Sequence, residues 1–243
     1  MSLLEVTSVT KRFGGIVALD GVSMSISEGE ILGLVGPNGS GKSTLINVLS
    51  GFYSADGGQV VFAGEDANEM QAHQLAAVGI ARTFQIPRPF DTMTPRENIA
   101  VSYMFGHSKH SLAEARLAAQ EWLDFTGLAG VADVPISDLT LHQLKFLELA
   151  RALATQPSLL LLDEVLAGLN PSEIDESVEM IQRIHAQGVT ILVVEHVIRA
   201  VMALSSRLVV LNQGAVISEG DPETVMSDPA VVTAYLGDRG RSA

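Results

Sequence analysis

The stretch GPNGSGKST at residues 36–44 decides how the rest of this chain is interpreted. The short apolar run 31–35 precedes it, and residues 42–49 follow with a helical pattern that ends at Gly51. Glycines let backbone N–H groups approach phosphate oxygens closely, and the N-terminus of a helix adds partial positive charge. The pattern G-x-x-x-x-G-K-[ST] between a strand and a helix therefore predicts a cradle for nucleotide phosphates.

Each residue of this stretch has an expected part in binding. Lys42 is predicted to reach the β- and γ-phosphates, and the Ser43 hydroxyl is predicted to ligate Mg²⁺. The complete set of predicted phosphate contacts is Gly36, Pro37, Asn38, Gly39, Ser40, Gly41, Lys42, Ser43 and Thr44. The motif alone does not separate kinases, GTPases and ATPases, although the guanine-reading pattern N-K-x-D is absent from the sequence.

Composition limits the class of protein. The chain has 243 residues, of which 47% are hydrophobic, and a net charge of −13. A surface this acidic repels polyanions, so we expect no nucleic-acid partner. There is no cysteine, which excludes disulfides and cysteine-ligated metals. No window reaches 18 uninterrupted apolar residues, so any membrane-spanning part of a transport system is expected to be another chain.

The order of strand and helix patterns predicts an α/β fold. Strand patterns at 3–9 and 17–26 open the chain, and core strands are predicted at 159–162 and 189–194 with a helix at 172–186 between them. The segment 212–214 is predicted to form a hairpin turn. Residues from 87 to 157 lack strong strand patterns and contain helical ones, at 112–125 and 144–154. This middle region is therefore predicted to be a helical insertion in a mainly parallel sheet.

A second acidic motif follows the four leucines at 159–162. Asp163 ends this predicted strand, where P-loop ATPases place a carboxylate near Mg²⁺. The adjacent Glu164 is a candidate general base for the attacking water. Open α/β sheets bind ligands at the carboxyl ends of their strands, which favours a functional pair over a surface pair.

Together these motifs resemble the nucleotide-binding subunits of ABC transporters. The stretch 36–44 matches that family's Walker A motif, and LLLLDE at 159–164 resembles its Walker B motif followed by the catalytic glutamate. The remaining matches are Phe13 in KRFGG for the aromatic that stacks on adenine, Gln85 in RTFQ for the Q-loop, 167–170 for the D-loop and His196 in ILVVEH for the switch histidine.

The resemblance implies roles for these residues. Glu164, His196, Lys42 and Gln85 would be catalytic, while Ser43, Gln85 and Asp163 would hold Mg²⁺. It also implies a P-loop NTPase, RecA-like core with an N-terminal antiparallel β subdomain, built from 1–86 and 158–243. Residues 87–157 would form the inserted helical, signature-bearing subdomain. ATP and Mg²⁺ are the implied cofactors.

The signature segment departs from the family pattern LSGGQ. It reads LTLHQ at 139–143, so Thr140 and Gln143 are kept as nucleotide contacts while His142 replaces a glycine. A side chain there should hinder close approach of the backbone to phosphate. One interpretation is an asymmetric pair, in which the site completed by His142 turns over slowly. The other is that His142 is tolerated or donates to phosphate. Val165 and Asn170 are smaller departures from the common proline and aspartate.

Several strings are similar to the ATPase subunits of branched-chain amino acid importers, notably RFGGIVAL, ARTFQIPRPFDTMTPRENI and GLNPSE. In that subfamily two different ATPase chains pair beneath transmembrane permease subunits, and a periplasmic binding protein delivers the substrate. The resemblance implies a peripheral position on the cytoplasmic face of the membrane, with 86–93 contacting the permease. Importers of urea or amides and exporters of lipopolysaccharide remain alternatives.

Two other functions remain open. Soluble ABC ATPases of translation carry tandem modules, and those of DNA repair carry long coiled coils; the sequence shows neither pattern. A non-catalytic subunit that binds ATP structurally is disfavoured by Asp163, Glu164 and His196 and favoured by His142.

Overall fold

The computed structural model describes residues 2–106 and 110–237 and has the α/β fold predicted from the sequence. Within this part the strands are β1 Ser2–Phe13, β2 Ile16–Ser27, β3 Ile31–Val35, β4 Gly57–Phe62, β5 Glu65–Asp66, β6 Ile80–Arg82, β7 Leu159–Asp163, β8 Thr190–Val194, β9 Arg207–Asn212 and β10 Ala215–Gly220. The helices are α1 Lys42–Leu49, α2 Ala72–Val78, α3 Pro95–Met104, α4 Leu112–Phe125, α5 Leu141–Ala154, α6 Pro171–His185, α7 Ile198–Leu204, α8 Pro222–Ser227 and α9 Pro229–Gly237.

Internal contacts divide the chain into two compact units. The first comprises Met1–Ala72 with Thr190–Ala243, and the second is His73–Val189. The second unit therefore contains α3, α4 and α5 of the predicted helical insertion together with β6, β7 and α6. The boundaries expected from the sequence, at 86/87 and 157/158, stay a prediction.

The first unit contains an antiparallel sheet in the order β2-β1-β4-β5. Leu4, Val6 and Val9 of β1 are buried and alternate in part with exposed neighbours, as expected of a sheet with one covered face. This sheet agrees with the antiparallel β subdomain that the resemblance implies. Its longest strands, β1 and β2, extend beyond their predicted ends and bring Phe13 opposite Ile16.

Strand β3 lies between β8 and β9 in the first unit and is parallel to both. All five residues of β3 and all five of β8 are buried, which explains why their sequences are continuously apolar. Strands β9 and β10 form a hairpin in which Asn212 pairs with Ala215. The two residues between them, Gln213 and Gly214, have φ angles of 49° and 84°. The predicted hairpin is therefore present, with the left-handed turn that favours glycine.

The second unit contains the parallel pair β6 and β7, in register from Ile80 opposite Leu159. Helix α4 has the predicted bounds, whereas α5 begins at Leu141 rather than at 144. Thr140 caps α5, because its hydroxyl accepts from the Gln143 amide and its own amide donates to the Gln143 side chain. No helix within 2–106 and 110–237 is long and apolar enough to cross a membrane.

Candidate nucleotide-binding site

Two of the three glycines of the phosphate loop, residues 36–44, stand where a side chain cannot fit. Gly36 has φ of 151°, and a Cβ there would lie 2.1 Å from the Leu211 carbonyl oxygen. Gly41 has φ of 110°, and its Cβ would lie 2.6 Å from the Ala18 carbonyl oxygen. Gly41 is also the residue that caps α1. The loop and the start of its helix are thus packed against neighbouring backbone, as a preformed phosphate cradle requires.

Lys42 is buried at the first position of α1 and points into the loop. Its Nζ donates to the carbonyl oxygens of Gly36 at 2.7 Å and Pro37 at 3.0 Å. Asn38, Gly39 and Ser43 are exposed in the first unit. The predicted phosphate contacts are thus gathered in one loop and one helical turn, with the lysine ammonium held among the loop carbonyls.

Phe13 belongs to an exposed group of aromatic and charged side chains in the first unit. Its ring meets that of Tyr53 in an edge-to-face arrangement with 5.2 Å between centroids. The Nζ atom of Lys11 lies 5.6 Å from the Phe13 ring centre and donates to Asp56 at 2.9 Å. This bond lowers the pKa of the Asp56 carboxyl. Tyr53 was not predicted as a site residue, although the aromatic pair at residues 52–53, shortly after α1, was the available signal.

His196 follows β8 in the first unit and is largely exposed. Its Nδ1 lies 3.8 Å from the carboxylate of Glu195, whose side chain is fully buried. The backbone amide of His196 also donates to that carboxylate, at 3.3 Å. The imidazole therefore lies just past the carboxyl end of a parallel strand, as predicted, beside a buried carboxylate.

Asp163 stands at the end of β7 in the second unit and is paired with a cation. Its carboxylate accepts from Arg82 Nη2 at 2.8 Å, and each of the two side chains is only 10% exposed. Separating a buried ion pair leaves each charge uncompensated and is therefore costly. The Asp163 side chain is thus held in place by Arg82. Asp163 was predicted from the sequence as a metal ligand, whereas Arg82 was not singled out, because it ends a three-residue strand with no alternating pattern.

Gln85 and Glu164, two residues predicted to be catalytic, are in direct contact. Gln85 Nε2 donates to Glu164 Oε2 at 2.6 Å. The Glu164 backbone has φ of 49°, a left-handed conformation that is uncommon for residues other than glycine. Lys145 Nζ approaches the Glu164 carbonyl oxygen at 3.4 Å. Contacts from the segment after β6 and from α5 thus surround the candidate general base, whose backbone has a strained conformation of the kind that clusters at functional sites.

His142 lies in the first turn of α5 and packs against its own unit. Its ring contacts that of Phe146, one turn later, in a tilted arrangement with 4.2 Å between centroids and 52° between the ring planes. Its Nε2 lies 3.9 Å from Glu176 on α6 and has no hydrogen-bond partner within the described residues. The ring is mostly buried, so the imidazole has a defined resting place beside α6. Whether its side chain hinders a phosphate stays a prediction.

A family model described as ABC transporter matches residues 19–167, well over half of the chain. The chain belongs to the ABC transporter family. This confirms the resemblance drawn from the motifs, and with it an ATP-binding and ATP-hydrolysing subunit that powers transport. A second model, described as branched-chain amino acid ATP-binding cassette transporter, matches residues 215–240 of this ABC protein.

Individual relatives agree with this assignment. The chain is 38% identical to the high-affinity branched-chain amino acid transport ATP-binding protein BraF of Pseudomonas aeruginosa, over 97% of this chain and 98% of that protein. The crystal structure of the ADP conformation of an ATP-binding cassette from an ABC transporter superposes with a TM-score of 0.87 at 34% identity, covering 98% of this chain and 99% of that one. A dimeric post-hydrolysis cassette bound to ADP and Pi superposes with a TM-score of 0.81 at 27% identity, covering 90% and 98%.

Proposed function

We propose that this ABC subunit powers the import of branched-chain or other hydrophobic amino acids. The observation that carries the proposal is the near-full-length similarity to BraF, joined by the match of residues 215–240 to the branched-chain amino acid model. The latter match lies outside the general ABC model at 19–167 and is therefore independent support for the cargo class. Urea, amide and lipopolysaccharide systems are the alternatives that the experiment must separate.

ATP would be held through its base and its phosphates. The Phe13 ring supplies a face for the adenine, and the loop amides with Lys42 supply donors for the phosphates. A serine hydroxyl at Ser43 and a carboxylate at Asp163 are hard oxygen donors of the kind that Mg²⁺ prefers, so these residues fit the metal. Bound Mg²⁺ would neutralise charge on the β- and γ-phosphate oxygens.

Hydrolysis would be carried by Glu164 acting on water. One carboxylate oxygen accepts from Gln85 at 2.6 Å, which fixes the side chain and leaves the other oxygen to take the proton of the attacking water. The water oxygen then bonds to the γ-phosphorus while the bond to the β–γ bridging oxygen breaks. Lys42 and His196 would stabilise the charge that develops on the transferred group.

The complete site would need a second chain. Thr140, His142 and Gln143 at the start of α5 would face ATP held by a second ATP-binding subunit, and that subunit's signature would complete the site on this chain. Because His142 replaces a glycine, we propose that the second subunit is a different chain and that the site completed by His142 turns over slowly. The segment 86–93 would contact the permease, at the cytoplasmic face of the membrane, and the periplasmic binding protein would act only through the permease.

Reconstitution tests the proposal. The chain is assembled in proteoliposomes with its second ATPase chain and its permease chains, and the corresponding binding protein delivers radiolabelled leucine or urea. We expect ATP-dependent uptake of leucine that unlabelled isoleucine and valine suppress, and no uptake of urea. ATP-dependent uptake of urea alone, or extraction of lipopolysaccharide, would contradict the proposed cargo class. A transporter with Lys42→Ala in this chain is the control for uptake that does not need this subunit's ATP site.

A further inference from the structure

The segment 86–93, proposed above to contact the permease, contains the sequence PRP at 87–89. Each proline fixes its own φ angle and has no amide hydrogen, so Arg88 carries the only backbone N–H group of these three residues. A proline also restricts the residue before it to extended conformations. The backbone here therefore has few conformations left, and its position depends on what the Arg88 peptide groups contact.

Helix α5 holds both backbone polar groups of Arg88. The Arg88 amide donates to Glu148 Oε2 at 2.8 Å, and the Arg88 carbonyl oxygen accepts from Arg151 Nη1 at 2.7 Å. Glu148 and Arg151 are three residues apart and therefore stand on one face of α5. The Arg151 guanidinium also lies 5.1 Å from the centre of the Phe90 ring. We call Glu148 and Arg151 the α5 clamp.

The Glu148 carboxylate is buried, with only 7% of the residue exposed. Burial raises the pKa of the Glu148 carboxyl, and the hydrogen bond from the Arg88 amide and the charge of Arg151 oppose that rise. A buried carboxyl that loses its hydrogen-bond partner is destabilised. Opening the contact between Glu148 and Arg88 is therefore unfavourable for both segments.

The next backbone groups are held from α3. Asn98, which is fully buried, accepts from the Phe90 amide and donates to the Phe90 carbonyl oxygen. Arg88 and Phe90 are thus each held through both backbone groups. The start of α5 carries Thr140 and His142, which are proposed to face the nucleotide of the second subunit. The α5 clamp therefore ties the proposed permease contact to the helix whose first turn would meet that nucleotide.

We propose that Glu148 and Arg151 are positioning residues, which preorganise the segment 86–93 for the permease and tie it to α5. Their bonds fix the Arg88 peptide before the permease binds, so that less conformational freedom is lost when the contact forms. A displacement of α5 would then also displace the segment. The inference rests on the permease contact proposed for 86–93 and assigns the side chains that hold this contact in place.

Hydrogen exchange in the purified full-length chain tests the clamp itself. We expect Glu148→Ala to accelerate exchange at the Arg88 amide at least about tenfold, because its acceptor is lost. Glu148→Gln keeps an acceptor oxygen and should retain most of the protection. The Kd for MgATP should be unchanged in both variants, because neither alters the loop 36–44.

Binding to the detergent-solubilised permease chains tests the consequence. We expect Glu148→Ala and Arg151→Met each to raise the Kd for the permease about three- to tenfold, the range of one hydrogen bond. Glu148→Gln should recover most of the affinity that Glu148→Ala loses. Glu121→Ala, which truncates an exposed glutamate on α4, is the control and should match the wild type in exchange and in affinity.

Arg151→Met keeps the test decisive if Glu148→Ala fails to fold, because Arg151 is only half-buried and methionine retains much of its packing. An unchanged Kd for the permease in the folded variants would overturn the positioning role, even if exchange at Arg88 rises. If the wild type does not bind the permease, the contact proposed for 86–93 is refuted and the inference with it. The cargo class is tested separately, by leucine uptake of the wild type.

Discussion

Glu164, the proposed general base, combines a strained backbone conformation with a side chain held by a neighbour. It is held in a left-handed conformation and bonded by Gln85, although nothing in a lone glutamate after a strand demands either feature. A non-glycine residue in this region is strained by roughly 1–3 kcal/mol, and the surrounding contacts must supply that energy. The hydrogen bond from Gln85 therefore orients the Glu164 carboxylate.

Replacing Glu164 by glutamine should separate ATP binding from hydrolysis. Glu164→Gln keeps the size of the side chain and removes the base, so we expect the ATPase rate of the transporter to fall at least about 100-fold while MgATP still binds. The ATP-bound assembly should then accumulate and be visible by size-exclusion chromatography. Glu121→Gln, an exposed glutamate on α4, is the matched control and should hydrolyse ATP normally. Normal turnover in Glu164→Gln would remove this residue from the role of base.

Tyr53 should contribute to ATP affinity through Phe13. An edge-to-face aromatic pair contributes about 0.5–1.5 kcal/mol beyond burial, so Tyr53→Ala should weaken ATP binding about two- to tenfold by loosening the Phe13 ring. Tyr53→Phe retains the ring and should bind like the wild type. Isothermal titration calorimetry with ATP and with inorganic triphosphate checks this. Triphosphate lacks the adenine, so Tyr53→Ala should weaken the binding of ATP and leave the binding of triphosphate unchanged. An equal loss for triphosphate would show that Tyr53 acts on the phosphate loop instead.

At the scale of elements, the sequence predicted best where local signals agree. The bounds of α1 and α4 and the turn of the hairpin follow from periodicity, glycine positions and capping residues. Helix α5 begins three residues earlier than predicted, because the capping box of Thr140 and Gln143 extends it beyond its apolar pattern. Strand β6 was missed, because three residues are too few to show an alternating pattern and its pairing with β7 comes from residues about 80 positions away.

The contacts within the candidate site were not predictable for the same reason. The sequence predicted Gln85, Asp163 and Glu164 as site residues but not their contacts. The hydrogen bond between Gln85 and Glu164 joins residues 79 positions apart. The pairing of Arg82 with Asp163 likewise depends on two strands lying side by side. Residue types identify chemistry, whereas tertiary packing decides which groups meet.

The segment 86–93, which follows Gln85, should contact the permease and couple ATP hydrolysis to uptake. Ile86 is 73% exposed and Phe90 is 44% exposed. The Asn98 side chain holds the Phe90 backbone, because its Oδ1 accepts from the Phe90 amide at 2.8 Å and its Nδ2 donates to the Phe90 carbonyl oxygen at 3.1 Å. We expect Phe90→Asp to lower ATP-dependent uptake at least about tenfold, because a charge in an apolar contact is costly to bury. Nucleotide affinity of the purified chain should remain unchanged.

The control for this segment is a second exposed phenylalanine. Phe105 is 79% exposed at the end of α3, and Phe105→Asp should retain uptake. Arg151 lies 5.1 Å from the Phe90 ring and can pair with the new carboxylate, so Phe90→Asp is expected to fold. Loss of nucleotide binding in Phe90→Asp would mean that the segment supports the ATP site rather than a partner.

At the scale of the whole molecule, the proposed function gives the chain two half-sites of unequal quality. The phosphate loop, Asp163 and Glu164 retain the groups that hydrolysis needs, whereas the start of α5 has His142 in place of a glycine. The imidazole lies against Phe146 and beside Glu176, so its ring packs on its own chain. A chain that keeps one half-site and alters the other is suited to pair with a different subunit rather than with a copy of itself.

Restoring the glycine should therefore activate the second site of the assembled transporter. The assay uses Glu164→Gln in this chain, so that the remaining hydrolysis comes from the partner's phosphate loop completed by His142. In that background we expect His142→Gly to raise the residual ATPase rate at least about tenfold, because backbone can then approach the γ-phosphate. His142→Ala removes the imidazole but keeps a Cβ, so it should raise the residual ATPase rate by less than His142→Gly does. Because alanine has good helix propensity, this variant also controls for the roughly 1 kcal/mol by which a glycine destabilises α5. An unchanged residual rate in both variants would show that His142 is tolerated, and the asymmetric pair would then need another cause.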